Sequence, residues 1–169
     1  MITEEIKDQV LLSMQILFGE QKGAYITDNI NIMFSNRMTS SLGIAHIKRM
    51  RGSSSVTMSL KLSAPLWERA NDQEKHDTVV HEACHLADYI INGKMDGHGY
   101  NWRQYMIKCG VSPEVYHNVD TSGLRKKPKR YDVTCGCSKV HQVTKRMLNK
   151  LLSKYCVCSR CKKSFVSLS

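Results

Sequence analysis

Ile6, Val10, Leu11, Met14 and Leu17 recur at the spacing of one helix face, which predicts an amphipathic helix over residues 3–18 with Gly19 and Gly23 bracketing its end. The pattern then changes period. Ile30, Ile32 and Phe34 alternate with polar residues and predict a strand within residues 26–34; a second strand is expected over Leu42 to Ile47, and a third over Val56 to Leu62, where V-T-M-S-L-K-L alternates cleanly. The loop R-M-R-G-S-S-S between the last two suits a hairpin with an exposed basic tip. Pro65 closes this region and a short helical segment is expected around Leu66 to Arg69. A long helix follows from about Asp72 to Ile91, with Val79, Val80, Cys84, Leu86, Ala87 and Ile90 as its apolar positions and Asn92-Gly93 as its stop. K-M-D-G-H-G is too rich in glycine to continue it. Tyr100 to Cys109 returns to helical spacing, ended by Gly110 and Pro113, and residues 117–129 read as a linker.

Charge divides the chain more sharply than hydropathy does. Residues 1–124 hold 12 lysines and arginines against 14 aspartates and glutamates, whereas residues 125–169 hold 13 basic residues against Asp132 alone. The expected organisation is therefore a domain over 1–124 and a small basic module over 125–169. A net charge of +12 in so short a stretch repels itself unless it folds around something or meets a polyanion, and it favours nucleic acid through counterion release. No apolar run approaches the roughly 20 residues of a membrane span. The N-terminus M-I-T-E-E-I-K-D has glutamates where a signal peptide carries positive charge, so the expected location is the cytoplasm. Of the seven cysteines, five fall between Cys135 and Cys161, a clustering that suits reduced thiolates on zinc better than disulfides.

The chemistry centres on V-H-E-A-C-H-L, residues 80–86. His81 and His85, four apart, stack on one helix face, and Glu82 lies one position round from the first. Two imidazoles for a zinc ion and a carboxylate beside them make the H-E-x-x-H arrangement of zinc hydrolysis, with Glu82 taking a proton from water and passing it to the leaving amine. The same five residues would also fit a helix with two half-buried histidines and a surface glutamate. His98 favours the metal: flanking glycines let the chain turn back sharply, and thirteen residues separate it from His85. His76 is a weaker rival because, five positions from His81, it points to another face, and His46 and His117 could reach the cleft but have no spacing argument. Asp96, Asp88 and Tyr100 are candidates for supporting or oxyanion roles, set against ordinary surface or capping roles. Cys84 and Cys109 read as core thiols rather than nucleophiles.

In the basic module, C-G-C at Cys135 and Cys137 follows the expected strand Y-D-V-T, and C-S-R-C at Cys158 and Cys161 follows K-Y-C-V. Two such knuckles about twenty residues apart predict a four-thiolate structural zinc site whose metal contributes to folding. Cys156 is read as a core thiol, and His141 and Cys156 remain reserve ligands. The residues between the knuckles are expected to form a hairpin or helix carrying Lys145, Arg146 and Lys150. Together with Arg125, Lys126, Lys127, Lys129 and Arg130 these are the expected contacts to a phosphate backbone, with Tyr131 and Tyr155 available for stacking and no pattern that reads bases.

The order T-V-V-H-E-A-C-H, G-H-G-Y-N-W, Y-D-V-T-C-G-C-S-K-V-H-Q-V-T-K-R and Y-C-V-C-S-R-C-K resembles the SprT-like zinc metallopeptidases, whose eukaryotic relatives include Spartan. The resemblance implies an α+β fold: a minimal zincin-like metallopeptidase domain with an N-terminal helix, a three-stranded sheet, the H-E-x-x-H helix and a further helix, then a small zinc ribbon. It implies one catalytic zinc on His81, His85 and His98 with Glu82 as the catalytic carboxylate, and one structural zinc on Cys135, Cys137, Cys158 and Cys161. It further implies DNA and DNA-bound or DNA-crosslinked proteins as partners, no membrane, and a nucleoid-associated or cytoplasmic setting, the host's cytoplasm if the gene is phage-borne. Two other functions compete with a DNA-associated peptidase: a nucleic-acid-binding adaptor whose peptidase-like domain is silent, and a metal-stabilised protein-interaction module.

Overall fold

A computed structural model describes residues 2–49, 52, 55–114, 119–124, 129–137, 139–153 and 156–167. The chain forms two compact units, Met1–Arg125 and Lys126–Ser169. The first begins with α1 (Ile2–Phe18), whose residues Ile6, Val10 and Met14 are buried on one face. Its end differs from the sequence expectation. Gly19, at φ 84°, turns the chain directly into a second helix, α2 (Glu20–Asp28), where a strand was expected to begin from residue 26. Gly23 does not end a helix but sits inside one: a Cβ there would lie 2.6 Å from the Gln15 backbone nitrogen, so the missing side chain lets α2 cross α1 backbone to backbone.

Three strands follow: β1 (Ile30–Ser35), β2 (Gly43–Arg49) and β3 (Val56–Ser63). β2 and β3 form the expected antiparallel hairpin, its tip falling largely outside the described residues, while β1 pairs parallel with β3. The order β1-β3-β2 puts β3 in the middle and leaves β2 as an edge. Leu60 and Leu62 of the central strand are fully buried. The short α3 (Ala64–Trp67), capped by Ser63 Oγ, leads to α4 (Asp72–Asn92).

α4 starts at a capping box. Asn71 Oδ1 accepts from the Glu74 N–H at 2.9 Å, and Glu74 Oε2 accepts from the Asn71 N–H at 2.9 Å. It stops at Gly93 in the left-handed region. Two apolar stripes explain its burial: Val79, Ala83, Leu86 and Ala87 join the core formed with α1 and the sheet, while Val80 and Cys84 pack with Trp102 and Met106 of α5 (Tyr100–Lys108). A helix buried on both flanks can present only a narrow third face, and that face carries the histidines. No helix among the described residues is long and apolar enough to cross a membrane.

The second unit comprises β4 (Arg130–Thr134), β5 (His141–Thr144), α6 (Lys145–Leu152) and β6 (Val166–Ser167), with antiparallel sheet order β5-β4-β6. Where either a hairpin or a helix was expected between the cysteine pairs, the chain forms a strand and then a helix. Among the described residues, Val133 and Leu148 are its buried aliphatic side chains, beside the thiols of Cys135 and Cys158, a core small enough that a bound metal matters to stability.

Candidate functional site

His81 and His85 project from the third face of α4, and the loop of residues 93–99 brings His98 to meet them. The three Nε2 atoms lie 3.0 Å (His81 to His98), 3.2 Å (His81 to His85) and 3.2 Å (His85 to His98) apart. A neutral imidazole has one N–H, so three ring nitrogens converging tip to tip cannot satisfy each other well by hydrogen bonding. Zinc with Zn–N bonds of about 2.0–2.1 Å places tetrahedral ligand nitrogens about 3.3 Å apart. The residues present therefore fit zinc, and among the described residues the set has three ligands, which leaves a coordination position free of them, as a catalytic site requires.

The surroundings favour the neutral form of two of these rings. Burial, then the neighbouring His98, pushes His85 down to about 4, and burial with the nearby Arg103 guanidinium lowers His98. Trp102, buried on α5, packs against all three rings at centroid distances of 4.6, 5.4 and 4.6 Å, and its Nε1 donates to the His81 carbonyl at 3.3 Å. Sequence reasoning gave this indole no role; its only signal was its place four residues after His98. Arg103 Nε donates to the His98 carbonyl at 3.2 Å.

Glu82 points toward the sheet side. Its Oε2 accepts the Ala45 backbone N–H of the edge strand at 2.6 Å. Only 7% of the residue is exposed, and burial raises its carboxyl from 4.5 to about 7 against the opposing pull of that hydrogen bond. The close approach of strand and helix depends on Gly43, where a Cβ would meet Thr78 Cγ2 at 2.7 Å and Glu82 Cγ at 2.8 Å. The three histidines and Glu82 line one cavity of about 630 Å³, walled on one side by residues 41–45 of the edge-strand region and on others by Thr78, Met95 and Ser112.

The other candidates are sorted by position. His76 pairs with Asp77, His46 is exposed on β2, and neither belongs to the histidine cluster; His117 lies outside the described residues. Tyr100 is exposed, Asp96 is exposed beside Lys94, and Asp88 is wholly buried. Cys84 is a core residue, with Cys109 packed against the same cluster.

The second metal cluster gathers Cys135, Cys137, Cys158 and Cys161, whose sulfurs all lie within 4.8 Å of one another. Cys137 and Cys158 are 3.9 Å apart, close to the about 3.8 Å that Zn–S bonds of about 2.3 Å give in a tetrahedron. Backbone N–H groups of Cys161 and Arg160 aimed at the Cys158 sulfur lower its thiol to about 6, which favours the thiolate a metal needs. Cys156 and His141 stand outside this group. The two clusters are consistent with one catalytic and one structural zinc site.

Lys129, Arg130, Lys145, Arg146 and Lys150 are all exposed, and the ammonium groups of Lys129 and Lys145 lie over the Tyr131 ring at 5.4 and 5.2 Å. Arg125, Lys126, Lys127 and Tyr155 lie outside the described residues.

A model of the SprT-like family matches residues 13–122. The chain is 30% identical over 125 residues to protein SprT of Shewanella oneidensis, covering 72% of each chain. It is 33% identical over 90 residues to protein SprT of Actinobacillus succinogenes, covering 52% of this chain and 51% of that one. It is also 24% identical over 168 residues to the human germ cell nuclear acidic protein, covering 95% of this chain and 23% of that protein.

Proposed function

The chain belongs to the SprT-like family, and on that premise we propose that it is a zinc-dependent endopeptidase acting on proteins bound or crosslinked to DNA in the cytoplasm or at the nucleoid. The observation that carries the reading is the meeting of three imidazole nitrogens beside a buried carboxylate at the wall of an open cavity. His81, His85 and His98 would hold the zinc, which when bound supplies Lewis-acid activation of water and of the scissile carbonyl. Glu82 is the proton carrier. Its hydrogen bond to the Ala45 amide fixes the carboxylate between the histidine helix and the edge strand, where it can take a proton from the attacking water and return it to the departing amine. Trp102 orients the imidazoles and excludes water from behind them.

The second unit, residues 126–169, is the proposed zinc ribbon and DNA grip. Lys129, Arg130, Lys145, Arg146 and Lys150 would neutralise phosphates without reading bases, as would Arg125, Lys126 and Lys127. DNA would then raise the local concentration of its own bound proteins at the cleft. The test is zinc content and cleavage of DNA-binding proteins, with and without DNA, for wild type and Glu82→Gln. Two zinc ions per chain and DNA-stimulated cleavage that disappears in E82Q support the reading. Binding of DNA without cleavage of any protein substrate would replace it with the adaptor role.

A further inference from the structure

Among the described residues, one fully buried carboxylate on α4 has no part in the chemistry above. Asp88 lies three residues beyond His85 and outside the histidine cluster. Its Oδ1 accepts from Asn92 Nδ2 at 2.7 Å, and its Oδ2 accepts from the Asp96 backbone N–H at 3.0 Å. Asn92 is the last residue of α4, and its amide also donates to Tyr105 Oη on α5 at 3.2 Å. Asp96 stands two residues before His98. Asp88 thus ties the end of α4 to the approach to the third imidazole, and through Asn92 it is linked to the helix that carries Trp102.

The segment between needs such a tie. Gly93 and Gly97 both adopt positive φ, at 71° and 60°, so the loop has the glycines required to turn back but no side chains at those positions to hold it there. Burying a carboxylate is unfavourable unless its oxygens are satisfied, and here both are, one by an amide of the loop itself. We infer that Asp88 is the positioning residue for His98, holding the Asp96 amide and the Asn92 side chain so that the loop returns the third ligand to His81 and His85. The inference rests on the three-histidine centre being a zinc site. Removal of Asp88 leaves the two helix-borne ligands in place and loosens the third, which Arg103 Nε and Trp102 still touch, so the effect falls on metal affinity.

The experiment uses the full chain and zinc itself, with affinity at the histidine centre measured by chelator competition and geometry followed by cobalt(II) absorption. The four-thiolate site, spectrally distinct, serves as an internal control. Asp88→Ala is expected to weaken zinc at the histidine centre by about 10- to 100-fold, the usual effect of removing a group that orients a ligand, with the thiolate site unchanged. In a His98→Ala background the same substitution should cause a much smaller loss, because the ligand it positions is gone and only its charge near His85 is removed. Asp88→Asn serves where the alanine variant is unfolded: its NH2 must face one of two donors, so one contact breaks and affinity falls several-fold. Wild-type affinity in either folded variant overturns the inference, and so does an equal loss with and without His98, which would mark a merely structural role. Wild-type protein carrying zinc only at its thiolates would instead remove the proposed active site itself.

Discussion

Gly43→Ala should impair catalysis out of proportion to its size. The added methyl would stand 2.7 Å from Thr78 Cγ2 and 2.8 Å from Glu82 Cγ, where carbon atoms normally rest about 3.5–4.0 Å apart. Relief requires a movement of about 1 Å, by the edge strand lifting from α4 or by Glu82 turning away. Overpacking of this kind costs about 1–3 kcal/mol, and at about 2–4 °C per kcal/mol for a chain of this length the melting temperature should fall by several degrees. The functional cost is separate. Glu82 is fixed by the Ala45 N–H at 2.6 Å, two residues along the same strand, so either relaxation shifts the carboxylate relative to the histidines. A 1 Å misplacement of a reacting group costs up to about 100-fold in rate. Thermal melts, zinc content and cleavage rates measured on G43A and on the double variant G43A with Thr78→Ser separate the two effects. Removing Thr78 Cγ2 should recover part of the stability, while the contact with Glu82 remains and the rate stays low. G43A with wild-type melting temperature and wild-type cleavage would refute the close strand-helix contact as the device that places Glu82.

Other consequences can be checked in the same preparations. In metal-free protein the Glu82 carboxyl titrates near 7 instead of 4.5 because of burial, so between these values the folded chain keeps a proton that the unfolded chain has released. Metal-free wild type should therefore lose stability relative to metal-free E82Q as pH rises through that window, by about 3 kcal/mol when complete; urea melts at pH 4 and pH 8 with an unchanged gap between the two proteins would contradict this. Cys158→Ser should reduce zinc from two ions per chain to one and unfold residues 126–169, visible as lost amide protection there and retained protection in α4. Changing Lys129, Lys145 and Lys150 to Gln should weaken DNA binding at every sequence alike and lower the salt dependence by about 0.9 per lost phosphate contact on duplex DNA; an unaltered salt slope would remove these lysines from the interface.

The parts of the fold legible in the sequence are those in which a local pattern and its chemistry coincide. The α4 helix announced itself through its apolar positions, Asn92-Gly93 and the four-residue spacing of His81 and His85, and His98 through flanking glycines that only a sharp return would use. Both cysteine knuckles were readable because metal geometry constrains their spacing. The α2 helix was not, since Gly19 and Gly23 look like terminators until the neighbouring α1 backbone is in view. Parallel pairing of β1 with β3 leaves no local signature, because register across a crossover is decided by the buried face as a whole. Gly43, Trp102 and the hydrogen bonds of Asp88 belong to the same class: each acts through a residue tens of positions away or through a turn whose path the pattern does not encode.

Trp102 packs against His81, His85 and His98 at once, and the chain's other indole, Trp67, sits against Phe34 in a different part of the first unit. An indole in contact with all three ligands should sense a change in their charge, so its emission is expected to shift when zinc fills the centre and to return when a chelator removes it, an optical gauge of metal loading that needs no dye.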